Sequence, residues 1–186
     1  VPTAILIDNM YIQNAANVFG LGRLDPRKYP KALLRTPPEE HYHTFIFDAL
    51  PYAPRYNATQ EQIDRRNKKR AYLEALKYCE RVSVELGDVR PKHTQCPHCN
   101  SEFFVPVQKL VDVRISVRLV YLAWSEIVKT IVLVAGDKDL LPAVQAVEPT
   151  GTTVRLAYIE EKNVQTSKAL IRACSEKQKL LKSDLA

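Results

Sequence analysis

Short runs of aliphatic and aromatic residues divide this chain at intervals, and longer stretches with helical spacing lie between them. The runs are "TAILID" (3–8), "HTFIFDA" (43–49), "RVSVEL" (81–86), "TIVLVAG" (130–136) and "TVRLAYI" (153–159). Several are nearly continuous in Val, Ile and Leu, as parallel strands buried on both faces must be. Strands alternating with helices predict an α/β fold: a mostly parallel, five-stranded sheet with helices on both faces.

Helices are expected over residues 9–19, over 59–80, from Gly136 to about Gly151, and from Thr166 into "SEKQKLLKSD", a charged tail expected to fray. In the second of these, Tyr72, Leu73, Leu76 and Cys79 share a face. A further helix over 112–128 is apolar nearly all round, with Val113, Ile115, Val117, Leu119, Val120, Leu122, Trp124 and Ile127, and should be central and deeply buried. Two stretches break the pattern. Residues 20–42 carry Pro26, Pro30, Pro37 and Pro38 and read as a loop with at most a short helical piece. Residues 87–108 form an insertion that holds a C-x-x-C.

With 186 residues, 46% of them hydrophobic, the chain can bury one good core, so residues 1–186 are read as a single domain. No segment reaches the roughly 18 apolar residues of a membrane span, and the first residues lack the basic-then-apolar pattern of a secretion signal. The expectation is a cytoplasmic protein with no membrane partner. Lys and Arg exceed Asp and Glu by 27 to 21, which suits a polyanionic partner without requiring one. The five glycines form neither G-x-x-x-x-G-K nor G-x-G-x-x-G, which argues against P-loop hydrolysis and dinucleotide redox chemistry.

In an open parallel sheet, chemistry collects beyond the C-terminal ends of the strands. Asp8 ends the first strand, and Asp137 and Asp139 follow the fourth; doubly wound strand order sets these two strands side by side. Asp112 begins the apolar helix and is the natural fourth acid. Helix capping is the plainer explanation, worth about 0.5–2 kcal/mol per acid. It suits Asp139, since Pro142 fits the first turn of a helix capped there, and it suits Asp137 and Asp8 less well. Crowded carboxylates repel one another unless a cation sits among them. Mg²⁺ or Mn²⁺ would take their oxygens and assist attack of water on a phosphoryl group.

Several segments together resemble the NYN domains, PIN-like nucleases of the LabA type: "ILIDNMYI", "FIFDALP", "KLVDVRISVRLVYLA", "IVLVAGDKDLLPAVQAV" and the G-x-x-V at 151–154. The resemblance spans nearly the whole chain. It implies a Rossmann-like PIN fold and metal-dependent cleavage of RNA, with Asp8, Asp112, Asp137 and Asp139 as catalytic residues and as ligands of Mg²⁺ or Mn²⁺. It further implies substrate contacts from Asn9, Lys109 and Arg118, and single-stranded RNA as the partner. Two positions depart from the family pattern. Where an Asp usually stands six residues beyond Asp112, this chain has Arg118, and Leu110 replaces the usual Gly after the Lys. Arg118 is expected either to fill a metal position with fixed charge or to hold a substrate phosphate. The alternatives are an RNA-binding or scaffold protein that keeps the fold without the chemistry, and a phosphatase of small phosphate esters.

The basic run "DRRNKKR" (64–70) reads as a phosphate track or, more commonly, as a solvated helix face. Tyr11, Tyr52 and Tyr56 read equally as base-stacking platforms or as edges of the core. In "HTQCPHC", Cys96 and Cys99 have half a zinc-knuckle spacing. His93 is the candidate third ligand for Zn²⁺, with the rest coming from elsewhere in the chain or from a second copy in a homodimer; a flexible loop or a redox-sensitive pair is the competing reading. Cys79 and Cys174, on predicted helices, are expected to be buried as small apolar residues.

Overall fold

The computed structural model describes residues 1–22, 24–25, 29–35 and 39–185. Pro26, Pro37 and Pro38 of the proline-rich stretch therefore lie outside the described residues, while Pro30 sits in a single-turn helix, α2 (Tyr29–Ala32). The sheet contains β1 (Pro2–Asp8), β2 (Glu40–Asp48), β3 (Val82–Leu86), β6 (Thr130–Val134), β7 (Thr153–Tyr158) and β8 (Glu176–Lys179). Its order is β3-β2-β1-β6-β7-β8 and every pairing is parallel. Chain direction along the sheet reverses between β1 and β6, which makes the crevice beyond their C-terminal ends the switch point of a doubly wound fold.

Alternation along β1 divides the core in two. Ala4 and Leu6 face α4 (Val111–Trp124), α5 (Leu141–Val147) and α6 (Lys168–Ala173), while Ile5 and Ile7 face α1 (Asn9–Val18) and the C-terminal segment. A third cluster packs Leu73 and Leu76 of α3 (Gln60–Leu76) onto Ile46 of β2, with Tyr72 and Cys79 against it. Thr59 starts α3 through a reciprocal capping box with Gln62.

Three expectations are corrected. The tail does not fray: after α6 it adds β8 as a sixth strand, then α7 (Lys182–Leu185), and it buries Leu180 and Leu185. Arg155 of β7, with no solvent exposure, lies beside this edge; its Nη2 donates to Glu39 at 2.8 Å and to the Leu33 carbonyl at 2.9 Å. Nor is α4 buried all round. Ile115, Leu119, Leu122 and Ala123 face the core, whereas Val113, Val117, Tyr121 and Trp124 form an outward stripe, each more than half exposed.

The insertion, too, is ordered, as an antiparallel hairpin of β4 (Asp88–Gln95) and β5 (Glu102–Lys109) with Pro91 opposite Pro106. Its base is tight. A Cβ on Gly87 would fall 2.4 Å from Val111 Cγ2 and 2.6 Å from the Lys109 carbonyl oxygen. Leu110 follows at φ 69°, the left-handed region that a glycine fills without strain. Among the described residues no helix is long and apolar enough to cross a membrane.

Candidate functional site

The C-terminal ends of β1 and β6 bring two of the candidate acids to one place. Ile7 pairs with Val134, so the chains that continue into Asp8 and Asp137 leave the sheet side by side. Asp8 Oδ1 accepts the Met10 amide at 2.9 Å and the Tyr11 amide at 3.2 Å, which starts α1. Asp137 Oδ1 accepts the Asp139 amide at 2.9 Å and starts the 3-10 turn Lys138–Leu140 that leads into α5. Capping therefore falls on Asp8 and Asp137. It does not fall on Asp139: α5 begins at Leu141 with Pro142 in its first turn and no side-chain cap. Both capping acids line an open cleft of about 400 Å³ with Met10, Asn14, Lys138 and Thr166.

Gly136 is what lets β6 end here. A Cβ on it would lie 2.5 Å from the Gln165 carbonyl oxygen and 2.6 Å from Cε2 of Tyr11. Tyr11 itself is a core residue, its hydroxyl 2.7 Å from Thr166 Oγ1 and accepting the Ile159 amide at 2.9 Å.

Asp112 enters from the first turn of α4. Burial raises its carboxyl above the usual range, and the charges of Asp137 and Asp139 push it in the same direction. Asp8 is raised to about 6, by burial first; the Tyr11 and Met10 amides work against this, and the charges of Asp112 and Asp48 add to it. Acids from three separate segments thus share one electrostatic neighbourhood. The donor chemistry suits a hard divalent cation that keeps part of its water shell and takes one or two carboxylates at a time. It does not suit a fully caged ion, because among the described residues no three His, Cys, Asp or Glu side chains are grouped to hold one.

The three residues expected to meet substrate are placed differently from one another. Asn9 is buried, and its amide donates to Asp48 Oδ2 in a very short hydrogen bond. Lys109 is exposed at the base of the hairpin. Arg118 is held by Glu85 of β3, Nε to Oε1 at 2.8 Å and Nη2 to Oε1 at 2.7 Å, with its guanidinium 4.6 Å over the ring of Phe45. The guanidinium is thus engaged by a carboxylate of β3 while staying about one-third exposed. Six residues along a helix place it well off the Asp112 face.

Two contributors were absent from the sequence assignment. Asp48, at the end of β2, also accepts its neighbour's amide from Ala49 at 2.7 Å and lies 2.6 Å from Lys69 Nζ. The basic run is thereby partly drawn inward, since Arg66 also donates to the Pro51 carbonyl. A second cleft of about 460 Å³ opens here, lined by Asn9, Met10, Asn14, Tyr52, Arg65 and Lys69 among others. Met10 and Asn14 line both clefts, so the two are neighbours. Lys138, between the two acids of the β6 end, is the other addition. The acid closing "FIFDALP" was the available signal for Asp48; nothing in the sequence marked Lys138 off from any exposed lysine.

The cysteines separate into two kinds. Cys174 is buried, and burial pushes its thiol up to about 12; Cys79 is half-buried just beyond α3. Cys96 and Cys99 sit at the hairpin tip as free thiols. The Ser101 hydroxyl and amide, with a smaller contribution from Cys96, hold the Cys99 thiol below its usual range. His93 stands apart from the pair, its Nε2 3.1 Å from Glu102 and its ring edge-on to Phe104.

No curated protein matches the chain. It is similar over 99% of its length, and over 94% of the other chain, to the crystal structure of a Vibrio parahaemolyticus protein of unknown function, with a TM-score of 0.61 and 16% identity, a likeness of fold alone. The family model of the NYN domain matches residues 2–181, nearly the whole chain, and on that match together with the α/β fold described above this protein belongs to the NYN domain family.

Proposed function

We propose that this protein is a metal-dependent ribonuclease acting on single-stranded RNA. The observation that carries the reading is the cleft at the switch point, where Asp8 and Asp137 leave adjacent parallel strands and line one opening. The neighbouring cleft that holds Arg65, Lys69 and Tyr52 supports a polyanion as substrate. NYN membership supports a nuclease over a phosphatase of small esters.

Asp8 and Asp137, which line the cleft, are assigned to the cation, and Asp112 and Asp139 to the water molecules around it. When bound, Mg²⁺ or Mn²⁺ supplies positive charge that steadies the phosphoryl oxygens and eases attack by water. Lys138 is assigned to the phosphate in the acidic cleft, and Arg65 to the strand on either side of it.

Labelled single-stranded RNA incubated with the protein in Mn²⁺, in Mg²⁺ and in chelator tests the reading. Cleavage that needs the metal and is lost in Asp137→Asn supports it; equal cleavage by that variant, or none under any condition, rejects it.

One observation favours a second reading, an NYN-fold RNA-binding or scaffold protein without cleavage. Arg118 stands where the family pattern has an acid, and it is committed to Glu85. Salt-sensitive RNA binding with no cleavage in either metal would decide for this reading.

A further inference from the structure

The hairpin of β4 and β5 has features that the acidic cleft does not use. It is half-buried chiefly near its base, and farther out Phe103, Phe104 and Val105 are exposed, Phe104 by 67%. A two-stranded ribbon with no third strand is marginally stable in water. Among the described residues, none gives this one the burial that would hold its outer half.

Its tip is nevertheless tightly built. Cys96 N–H donates to the Ser101 carbonyl at 2.9 Å, and Asn100 N–H donates to the Cys96 carbonyl at 2.9 Å, with Asn100 at φ 57°. That turn brings the two cysteine side chains within reach of each other, with Cys99 Sγ 2.9 Å from Ser101 Oγ. From Cys96 to Ser101 there is no acidic residue, so no added negative charge opposes a pair of thiolates.

The number of donors decides what such a tip can hold. A structural zinc site closes with four ligands, usually thiolates and imidazoles. Among the described residues no third His, Cys, Asp or Glu joins the pair, and His93 is bonded to Glu102 across the hairpin. We propose that Cys96 and Cys99 of two copies of this chain share one Zn²⁺, a four-thiolate site that joins the hairpins tip to tip. The thiols release their protons to solvent as they bind. The bridge gives each ribbon the cross-link that its own chain does not provide. It does not depend on the nuclease reading, because neither cysteine lies in the acidic cleft.

The test uses the full chain, reduced and freed of metal, titrated with Zn²⁺ and in parallel with Co²⁺. Mass is followed by light scattering, metal content by elemental analysis and ligand type by the Co²⁺ absorption spectrum. The expected result is one zinc per two chains, a dimer that returns to monomer in chelator, and a tetrahedral four-thiolate spectrum. The Cys96→Ser, Cys99→Ser double variant should lose all three while its thermal unfolding matches that of the metal-free wild-type chain. One zinc per chain on a monomer, no zinc uptake, an internal disulfide formed in place of metal binding, or a dimer that persists in the double variant would each overturn the proposal.

Discussion

Lys69, within α3, holds its ammonium 2.6 Å from Oδ2 of Asp48 at the end of β2, and that same oxygen accepts the Asn9 amide. Three elements, β1–α1, β2 and α3, are tied together at one carboxylate. Lys69→Met leaves Asp48, nearly buried, with a charge and no cation, and should cost about 2–4 kcal/mol. Urea unfolding measures this. Adding Asp48→Asn should recover much of the loss, because the uncompensated charge goes with it; two additive losses would mean the pair is not coupled.

Asp8→Asn should make the protein more stable and inactive. The folded-state carboxyl is raised from 3.8 to about 6, so between those values the native state binds more protons than the unfolded chain. Stability from this group is fully present below the lower value, falls as pH rises through the window, and has been lost by pH 7. Asn caps a helix as well as Asp but carries no charge. A gain of about 1–3 kcal/mol at pH 7 is expected, vanishing toward pH 4, together with loss of cleavage. Thermal unfolding at the two pH values checks the sign.

Arg118→Asp should not restore an acidic ligand. The new carboxylate would face Glu85 and forfeit the contact over Phe45, and a loss of about 2–3 kcal/mol is expected with no gain of cleavage. Pairing it with Glu85→Lys should return part of that stability. Cleavage rising in the single variant would show that position 118 reaches the acidic cleft after all.

Gly136→Ala adds one methyl group where β6 meets Tyr11 and the Gln165 carbonyl. With the nearest atoms at 2.5 and 2.6 Å, backbone and ring must both yield, at about 1–3 kcal/mol. The shift falls on the residue next to Asp137. Cleavage should drop more than the lost stability explains, measured at a temperature where the variant remains folded.

Much of the fold was legible because burial on both faces leaves a plain mark. The central strands β1, β2, β6 and β7 read as aliphatic runs, and β3 as a shorter one. β8 left none, since "EKQK" at a sheet edge is held by backbone pairing with β7 rather than by apolar side chains. β4 was hidden for a related reason: "DVRPKHTQ" has Pro91 within it and pairs only with β5. The pattern of α4 misled because apolar content shows how much could be buried, and not whether a neighbour is present to bury it. At the site, strand ends could be located, but hydrogen bonds could not. Nothing in the one-letter pattern distinguished Arg118 bound to Glu85 from an arginine open to phosphate, or assigned the capping roles to Asp8 and Asp137.

Those two capping roles carry a consequence for descent. An acid that also starts a helix cannot drift freely once its chemistry is no longer needed, because alanine there would unseat α1 or the turn before α5. A lineage that gave up catalysis would retain asparagine or serine at these two points while Asp112 and Asp139, whose side chains cap no helix, wandered. Retired members of the group would then be betrayed by which acids were replaced with amides.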